Sequence, residues 1–375
     1  MNIWIVCYPT YWWSWIVATE LGKALAKKWH NVHFISSSQP VRLDVYKENI
    51  HYHEVQAADY PLFEYLPYET ALTSKLVDIA QHEQLDIMHV HYALPHASVA
   101  YMAQQILKEQ GNYVPFVTTL HGTDITLVGQ DASYEPVISF AIEHSDAVTS
   151  VSAYLKQATY DNFKVNKEIH VIPNFINFEY CDRFERNNEL KTTFCPEWER
   201  LLVHVSNLRS VKRVEDVIHI FHWVLQKLPA KLLIVGDGPE RTQLEKLSRD
   251  LHLSEHIHFL WKIKKVEKIL KASDLFLLPS EQESFWLSAL EAMAAWVPVV
   301  SSNAWWISEV NTHGISWYLA NIGDIDAMTN YSLDILSDDN VLQNFRKQAH
   351  TQATNFCIDK ILPRYEEVYT QLINT

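Results

Sequence analysis

Ser280-Glu-Gln-Glu283-Ser-Phe285-Trp-Leu-Ser-Ala-Leu-Glu291-Ala-Met-Ala-Ala-Trp296-Val-Pro-Val-Val-Ser-Ser-Asn-Ala-Trp-Trp306 decides how this chain is read. A short loop carries Glu281 and Glu283, a helix is expected to begin near Phe285, and a Val-rich strand follows. Loop, helix and strand in that order form one unit of a parallel α/β sheet. Glu291 falls on the second turn of the expected helix, eight residues after Glu283. That spacing is about two helical turns if the helix starts at Glu283. Two acids along one edge can each take a pair of hydroxyls from an extended ligand, and N–H groups at a helix start can hold a phosphate. For an arbitrary pair of glutamates, solvated acids on an amphipathic helix are the commoner outcome.

Outward from this stretch the same alternation recurs. Toward the N-terminus it includes strands at 201–206, 231–235, 257–260 and 275–278, with helices at 214–228, 239–251 and 266–271 between them. Pro239 is read as the first residue of its helix. A second series fills the first half, with strands at 3–8, 32–36, 50–55, 87–91, 114–120, 147–151 and 169–172. Helices are expected at 17–28, 68–82, 97–110 and 135–144, the third of them ended by Gly111. Residues 173–200 carry clustered charge and no clear period, and read as a linker. The expected fold is α/β: two Rossmann-like, doubly wound domains facing a central cleft, with ligands at the strand C-termini. The expected bounds are 1–172, 201–355 and a C-terminal helix, 356–375, crossing back to the first domain.

A chain of 375 residues is long for one core, which agrees with two domains. Its formal charge of −14 argues against a broad nucleic-acid or anionic-membrane footprint. Cys7, Cys181, Cys195 and Cys357 lack metal-ligand spacing and read as thiols of a reducing cytoplasm. There is no run of 18 apolar residues, so no membrane span is expected, and a homo-oligomer is compatible with the sequence. One feature of the composition is abnormal: Gly is 8 of 375, about 2% against about 7% in ordinary proteins, while Trp reaches 13. Trp29 and Trp296 lie just past a helix and before a strand, where a left-handed residue, usually Gly, is wanted.

Four segments fall at strand C-termini. The first, Tyr8-Pro-Thr-Tyr-Trp-Trp-Ser14-Trp15, occupies an anion-binding position but has bulk where such a loop needs small residues. In the second, His89-Val-His91-Tyr92-Ala-Leu-Pro-His96, two histidines share one strand face. No nearby carboxylate or thiolate completes a metal set, so histidines lining a core or cleft are favoured. The third, Thr118-Thr119-Leu-His121-Gly122-Thr-Asp124, ends a strand in hydroxyls and places His121 to bond a ligand hydroxyl. The fourth, Ser206-Asn207-Leu-Arg209-Ser-Val-Lys212-Arg213, sets two cations and helix N–H groups at a turn, which makes a diphosphate clamp or a solvated basic helix start.

Taken in order, Ser206…Arg209…Lys212, Gly236-Asp-Gly-Pro-Glu240, Pro279-Ser-Glu-Gln-Glu283-Ser-Phe and the Glu283–Glu291 pair resemble the retaining glycosyltransferases of family 4, which have the GT-B fold. The second and third segments, with Leu62-Phe-Glu-Tyr-Leu-Pro-Tyr68 and Ile172-Pro-Asn174-Phe-Ile176, resemble the malate-accepting members of that family. The resemblance covers essentially the whole chain. It implies transfer of GlcNAc from UDP-GlcNAc to the hydroxyl of L-malate, with retention, without a metal or other cofactor, as in the first step of bacillithiol biosynthesis. It implies that Glu291 binds the ribose hydroxyls, Glu283 the donor sugar, and Arg209 and Lys212 the leaving diphosphate. Ser206, Asn207 and the stretch Ser284, Phe285, Trp286 and Leu287 complete the donor site. His121 touches the donor sugar, and Ser14, Tyr92, Thr119 and Asn174 seat malate. No residue is implied as a nucleophile. Another family 4 enzyme with an inositol or glycan acceptor, and a nucleotide- or sugar-binding module without turnover, are the alternatives.

The departures from the family pattern are all of one kind. Trp12, Trp13 and Trp15 stand where the pattern has a Gly-Gly-Ser-Gly loop, Trp286 where Gly follows Glu-Ser-Phe, and Trp305-Trp306 where it has a Gly pair. Trp4, Trp29, Trp261, Trp296 and Trp317 read as further Gly slots. Indole in the ligand loops is expected to restrain activity, since overpacking a close-packed site costs about 1–3 kcal/mol per position.

Overall fold

The computed structural model describes the chain apart from residues 9–12, 41, 44–47, 57–66, 180–187, 197, 264, 284, 286, 305–312 and 375, with the backbone alone at 13, 127, 130 and 188. It divides into two compact units, Met1–Phe175 with Ile358–Thr375, and Ile176–Cys357. Ser284, Trp12, Trp286, Trp305, Trp306, Cys181 and most of the Leu62–Tyr68 motif lie outside the described residues.

In chain order the first unit runs β1 (Asn2–Val6), α1 (Trp13–Lys27), β2 (Asn31–Ser36), β3 (Ile50–Glu54), α2 (Tyr68–His82), β4 (Ile87–His91), α3 (Ser98–Glu109), β5 (Phe116–Leu120), α4 (Glu135–His144), β6 (Ala147–Ser150), α5 (Ala153–Asn162) and β7 (Ile169–Val171). The sheet order is β3-β2-β1-β4-β5-β6-β7, with every pairing parallel. The second unit runs α6 (Asn188–Phe194), β8 (Arg200–Val205), α7 (Val214–Leu225), β9 (Ala230–Val235), α8 (Arg241–Asp250), β10 (Ile257–Leu260), α9 (Val266–Ala272), β11 (Leu275–Leu278), α10 (Leu287–Ala294), β12 (Val299–Ser302), β13 (Trp317–Ala320), α11 (Ile325–Leu336) and α12 (Asp339–Ala353). Its sheet, β10-β9-β8-β11-β12-β13, is likewise all parallel. The last helix, α13 (Ile358–Ile373), belongs to the first unit.

Parallel strands covered on both faces are buried along their length, and β4, β5, β11 and β12 are buried at every residue, the His, Thr and Ser of β4, β5 and β12 included. Chain direction along the sheet reverses between β1 and β4 in one unit and between β8 and β11 in the other. Loops after those strands splay apart there and leave room for a ligand.

Several expectations are corrected. The stretch 173–200 is not a free linker: the division falls at Phe175, Ile176 pairs with Cys357, and α6 lies inside the second unit. Pro239 precedes α8 by two residues instead of opening it. Helix α10 starts at Leu287, two residues after the expected Phe285; Glu283 lies in the loop as read from the sequence, so the condition for the two glutamates to stack along one helix edge is not met. Helix α1 begins at Trp13, which makes Ser14 and Trp15 first-turn residues.

The Trp positions divide into two groups. Trp29 and Trp296 have φ of 67° and 64°, the left-handed conformation a Gly would adopt freely. Trp4, Trp261 and Trp317 do not, so nothing in their backbone asks for Gly. Trp4 and Trp317 are buried within strands, and Trp261 lies under the Arg241 guanidinium, 4.0 Å from ring centroid to Cζ. A left-handed L-residue costs about 1–2 kcal/mol, and the added unfolded-state freedom of Gly takes back about 0.4–1 kcal/mol. The Trp29 ring is 90% exposed and offers little in compensation. Trp29→Gly should therefore raise the urea midpoint, by about 0.5–1 kcal/mol of stability. Trp296 stacks on His350 at 4.1 Å, a contact worth about 0.5–1.5 kcal/mol, so Trp296→Gly should be near neutral. A loss of stability in Trp29→Gly would contradict this account.

Candidate functional site

In the second unit the loops after β8 and β11 meet at the switch point. Lys212 Nζ donates to Glu283 Oε1 at 2.6 Å, and Ser280 Oγ donates to the same oxygen at 3.0 Å. Both side chains of the ion pair are only 14% exposed, so screening by water is weak and the geometry is held firmly. Beside them Arg213 joins the same two loops, donating to Glu281 at 2.7 Å and to Asp216 at 2.6 Å. Glu281 N donates to Val211 O, and Ser302 Oγ donates to the carbonyl of Ser280. Arg209, at the same turn, is exposed. Asn207 is half-buried, and its carbonyl accepts from Arg209 N at 2.7 Å.

Ser206 is oriented from behind. His204 Nδ1 lies 2.8 Å from the carbonyl of Leu277, which can only accept, so Nδ1 carries a proton. Burial pushes this imidazole down to about 4, so it is neutral and its Nε2 accepts from Ser206 Oγ at 2.7 Å. The Ser206 hydroxyl proton is thus committed to His204, and the oxygen offers lone pairs. The loop after β9 packs against this turn only because it has glycines. A Cβ at Gly236 would stand 1.9 Å from Ser206 O, and one at Gly238 2.4 Å from Leu208 O.

Glu291 sits on the second turn of α10, a helix buried at all eight positions. A solvated amphipathic face is therefore excluded for it. Phe285 and Leu287 are buried on either side of residue 286. Of the expected donor residues, the structure joins Lys212 directly to Glu283. The signal missed in the sequence is that Ser280, Glu281 and Arg213 staple the two loops together.

In the first unit the loops after β1, β4 and β5 gather Ser14, Tyr92 and His121. Tyr92 OH donates to Ser14 Oγ at 2.5 Å, and its ring lies 5.0 Å from that of His121. Tyr92 has φ 82° and ψ 136°, a strained backbone held by Tyr92 N donating to Thr119 O and Ala93 N donating to Asp124 Oδ2. Asp124 also accepts from Gly122 N. Its burial raises its pKa to about 6 against the pull of these N–H groups. Nothing in the sequence marks Asp124 beyond its place after His121-Gly122-Thr, yet its carboxylate is the peg of the site.

The histidines form hydrogen-bonded pairs. His89 bonds Tyr369 OH of α13 at 2.6 Å and Thr119 Oγ1 at 2.7 Å. Thr119 Oγ1 also meets Thr149 Oγ1 at 2.6 Å, so this hydroxyl is used within the buried network and is not presented to a ligand. His91 Nδ1 lies 2.7 Å from His121 Nε2, and His96 Nδ1 donates to the carbonyl of His91 at 2.7 Å. Burial pushes His89 and His121 down to about 3 and His96 to about 4. Among the described residues no group of three or more His, Cys, Asp or Glu is arranged to hold a metal. Asn174 is buried, and its Oδ1 has no hydrogen-bond partner. Cys7 and Cys195 are free thiols, and no helix among the described residues is long and apolar enough to cross a membrane.

Comparison with known proteins fits this arrangement. Residues 15–180 match Glycosyltransferase Family 4, and residues 185–352 match glycosyl transferases group 1. Over 374 residues the chain is 42% identical to the N-acetyl-alpha-D-glucosaminyl L-malate synthase of Bacillus anthracis, covering 100% of this chain and 97% of that protein. A second relative, the 2-deoxystreptamine N-acetyl-D-glucosaminyltransferase of Niallia circulans, is 28% identical over 47% of this chain and 49% of its own. Among solved structures, Anabaena HepE in complex with UDP and glucose superposes with a TM-score of 0.81 at 18% identity, over 99% of each chain.

Proposed function

The chain belongs to glycosyltransferase family 4, with the GT-B fold, and from that membership we propose that it moves N-acetylglucosamine from UDP-GlcNAc to the hydroxyl of L-malate with retention. The observation that carries this reading is the full-length identity with a protein named as a malate synthase, joined to the stapled loops of the second unit. In this reading Lys212 and Arg209 neutralise the leaving diphosphate, the main electrostatic demand of the transfer. Glu283 and Glu291 hold sugar and ribose hydroxyls, with Ser206, Asn207 and the N–H groups of Ser284 to Leu287 around them. Tyr92, Ser14 and Asn174 seat the malate, and His121 touches the donor sugar. Two protein cations do the work of a divalent metal, so the reaction proceeds in chelator. Indole at positions 12, 13, 15, 286, 305 and 306, where the family pattern has Gly, slows turnover in this reading.

Incubation with UDP-GlcNAc and L-malate, followed by UDP release and product mass, tests the reading. Release should require malate, continue in EDTA and fall about tenfold or more when an inositol replaces malate, the equivalent of about 1.4 kcal/mol in the transition state. Returning Gly to those six positions should raise the rate. If UDP raises the melting temperature while neither form turns over with any acceptor, the chain is a binding module and the proposal fails.

A further inference from the structure

We propose that His91 is a positioning residue that fixes the tautomer of His121, so that His121 meets its ligand as an N–H donor through Nδ1. The inference rests on the reading above for what the ligand is, but not for the tautomer. His91 Nδ1 and His121 Nε2 are 2.7 Å apart, and their rings stack at 5.0 Å. Burial lowers both imidazoles far enough that each is neutral, so one proton lies between the two nitrogens.

Two arrangements are open to that proton, and the far side of His91 decides between them. Its Nε2 is buried and has no hydrogen-bond partner. If His121 donated, His91 would carry its proton on Nε2, an N–H shut in the core with nothing to receive it. If His91 donates, Nε2 holds a bare lone pair. Buried N–H groups without an acceptor are the rarer and costlier defect. His96 shows the same preference beside it: its Nδ1 must donate to the His91 carbonyl, leaving its own buried Nε2 as a lone pair. His91 Nδ1–H therefore donates to His121 Nε2, and the remaining proton of His121 is on Nδ1. A ligand oxygen with a free lone pair, from a sugar hydroxyl or a carboxylate, fits that nitrogen. A hydroxyl that must lose its proton does not, so His121 is excluded as the base that activates the acceptor.

The experiment uses the full chain labelled with 15N-histidine, with the His121 signals assigned by their loss in His121→Gln. Long-range 1H–15N spectra should show His121 protonated at Nδ1. His91→Asn, which keeps an N–H donor at the same distance from the backbone, should preserve that pattern and most of the transfer rate. His91→Asp, which puts an acceptor where that donor was, should draw the proton to Nε2 and lower kcat/KM roughly tenfold, the loss of one hydrogen bond. A parent spectrum with His121 protonated at Nε2, or an unchanged tautomer in a folded His91→Asp protein, overturns the proposal. The spectra decide it even if malate proves not to be the acceptor.

Discussion

Lys212→Met should turn over about 10²- to 10³-fold more slowly than the parent chain, the loss typical of one preorganised charge at a developing anion. Two effects add in the same direction. The first, on the proposed reading, is the loss of the cation that meets negative charge growing on the leaving diphosphate. The second comes from Glu283, which accepts from Lys212 at 2.6 Å. With both side chains only 14% exposed, removal of the ammonium leaves a poorly solvated carboxylate near the diphosphate it would repel. The double variant Lys212→Met with Glu283→Gln separates these effects. It should recover donor binding toward the parent value but not kcat, because only the repulsion has been removed. Glu283→Gln alone should raise KM for the donor more than it lowers kcat. Steady-state kinetics at several donor concentrations read all three, and a Lys212→Met kcat within about threefold of the parent would sink the clamp assignment.

The parts of the site that depend on local pattern were legible in the sequence, and the parts that depend on register between distant loops were not. Glu291 was placed on its turn correctly because 3.6-residue periodicity and the following Val-rich strand fix the helix from within. Glu283 was legible as a loop residue, but the helix start expected near Phe285 falls two residues early, because Leu287 has no Ser, Thr or Asp cap signal before it. Its partner Lys212 lies 71 residues away, and only the adjacency of β8 and β11 in the sheet brings them together. Trp29 and Trp296 are the reverse case. Their position between a helix and a strand predicted a left-handed backbone whatever the residue, and the observed φ values agree. At Trp4 and Trp317, deep in strands, no such local rule applies, and the structure accommodates the rings by burial, with Trp317 Nε1 donating to Ser301 Oγ at 2.6 Å. His91 and His121 lie 30 residues apart in separate motifs, and only the parallel pairing of β4 with β5 sets them side by side.

Asp274→Ala should cost about 3–5 kcal/mol, the loss expected when one member of a buried ion network is removed. Asp274 stands just before β11 and is 1% exposed. Its Oδ2 accepts from Lys191 Nζ of α6 at 2.8 Å and from Leu201 N of β8 at 2.8 Å, while Oδ1 accepts from Arg346 Nη2 of α12 at 2.6 Å. The carboxylate therefore ties two helices and a neighbouring strand to the base of the sheet whose other end carries the Lys212 loop. Lys191 and Arg346 are themselves 8% and 3% exposed, so removing the acid strands two cations in the core. Asp274→Asn retains an oxygen for the Leu201 N–H but loses the charge and sets an amide NH2 where Arg346 had an acceptor, so it should fall between parent and Ala. Removing all the charges together avoids the unpaired cations. Lys191→Met, Asp274→Leu and Arg346→Met in one chain should thus be more stable than Asp274→Ala alone, although three polar side chains are gone instead of one. Urea unfolding followed by far-UV ellipticity orders the set. Against a typical total stability of about 5–15 kcal/mol, the Asp274→Ala loss is large enough to leave the second unit partly unfolded at 37 °C. A loss under about 1 kcal/mol would mean that water reaches the network and that the helices are held by their apolar faces alone.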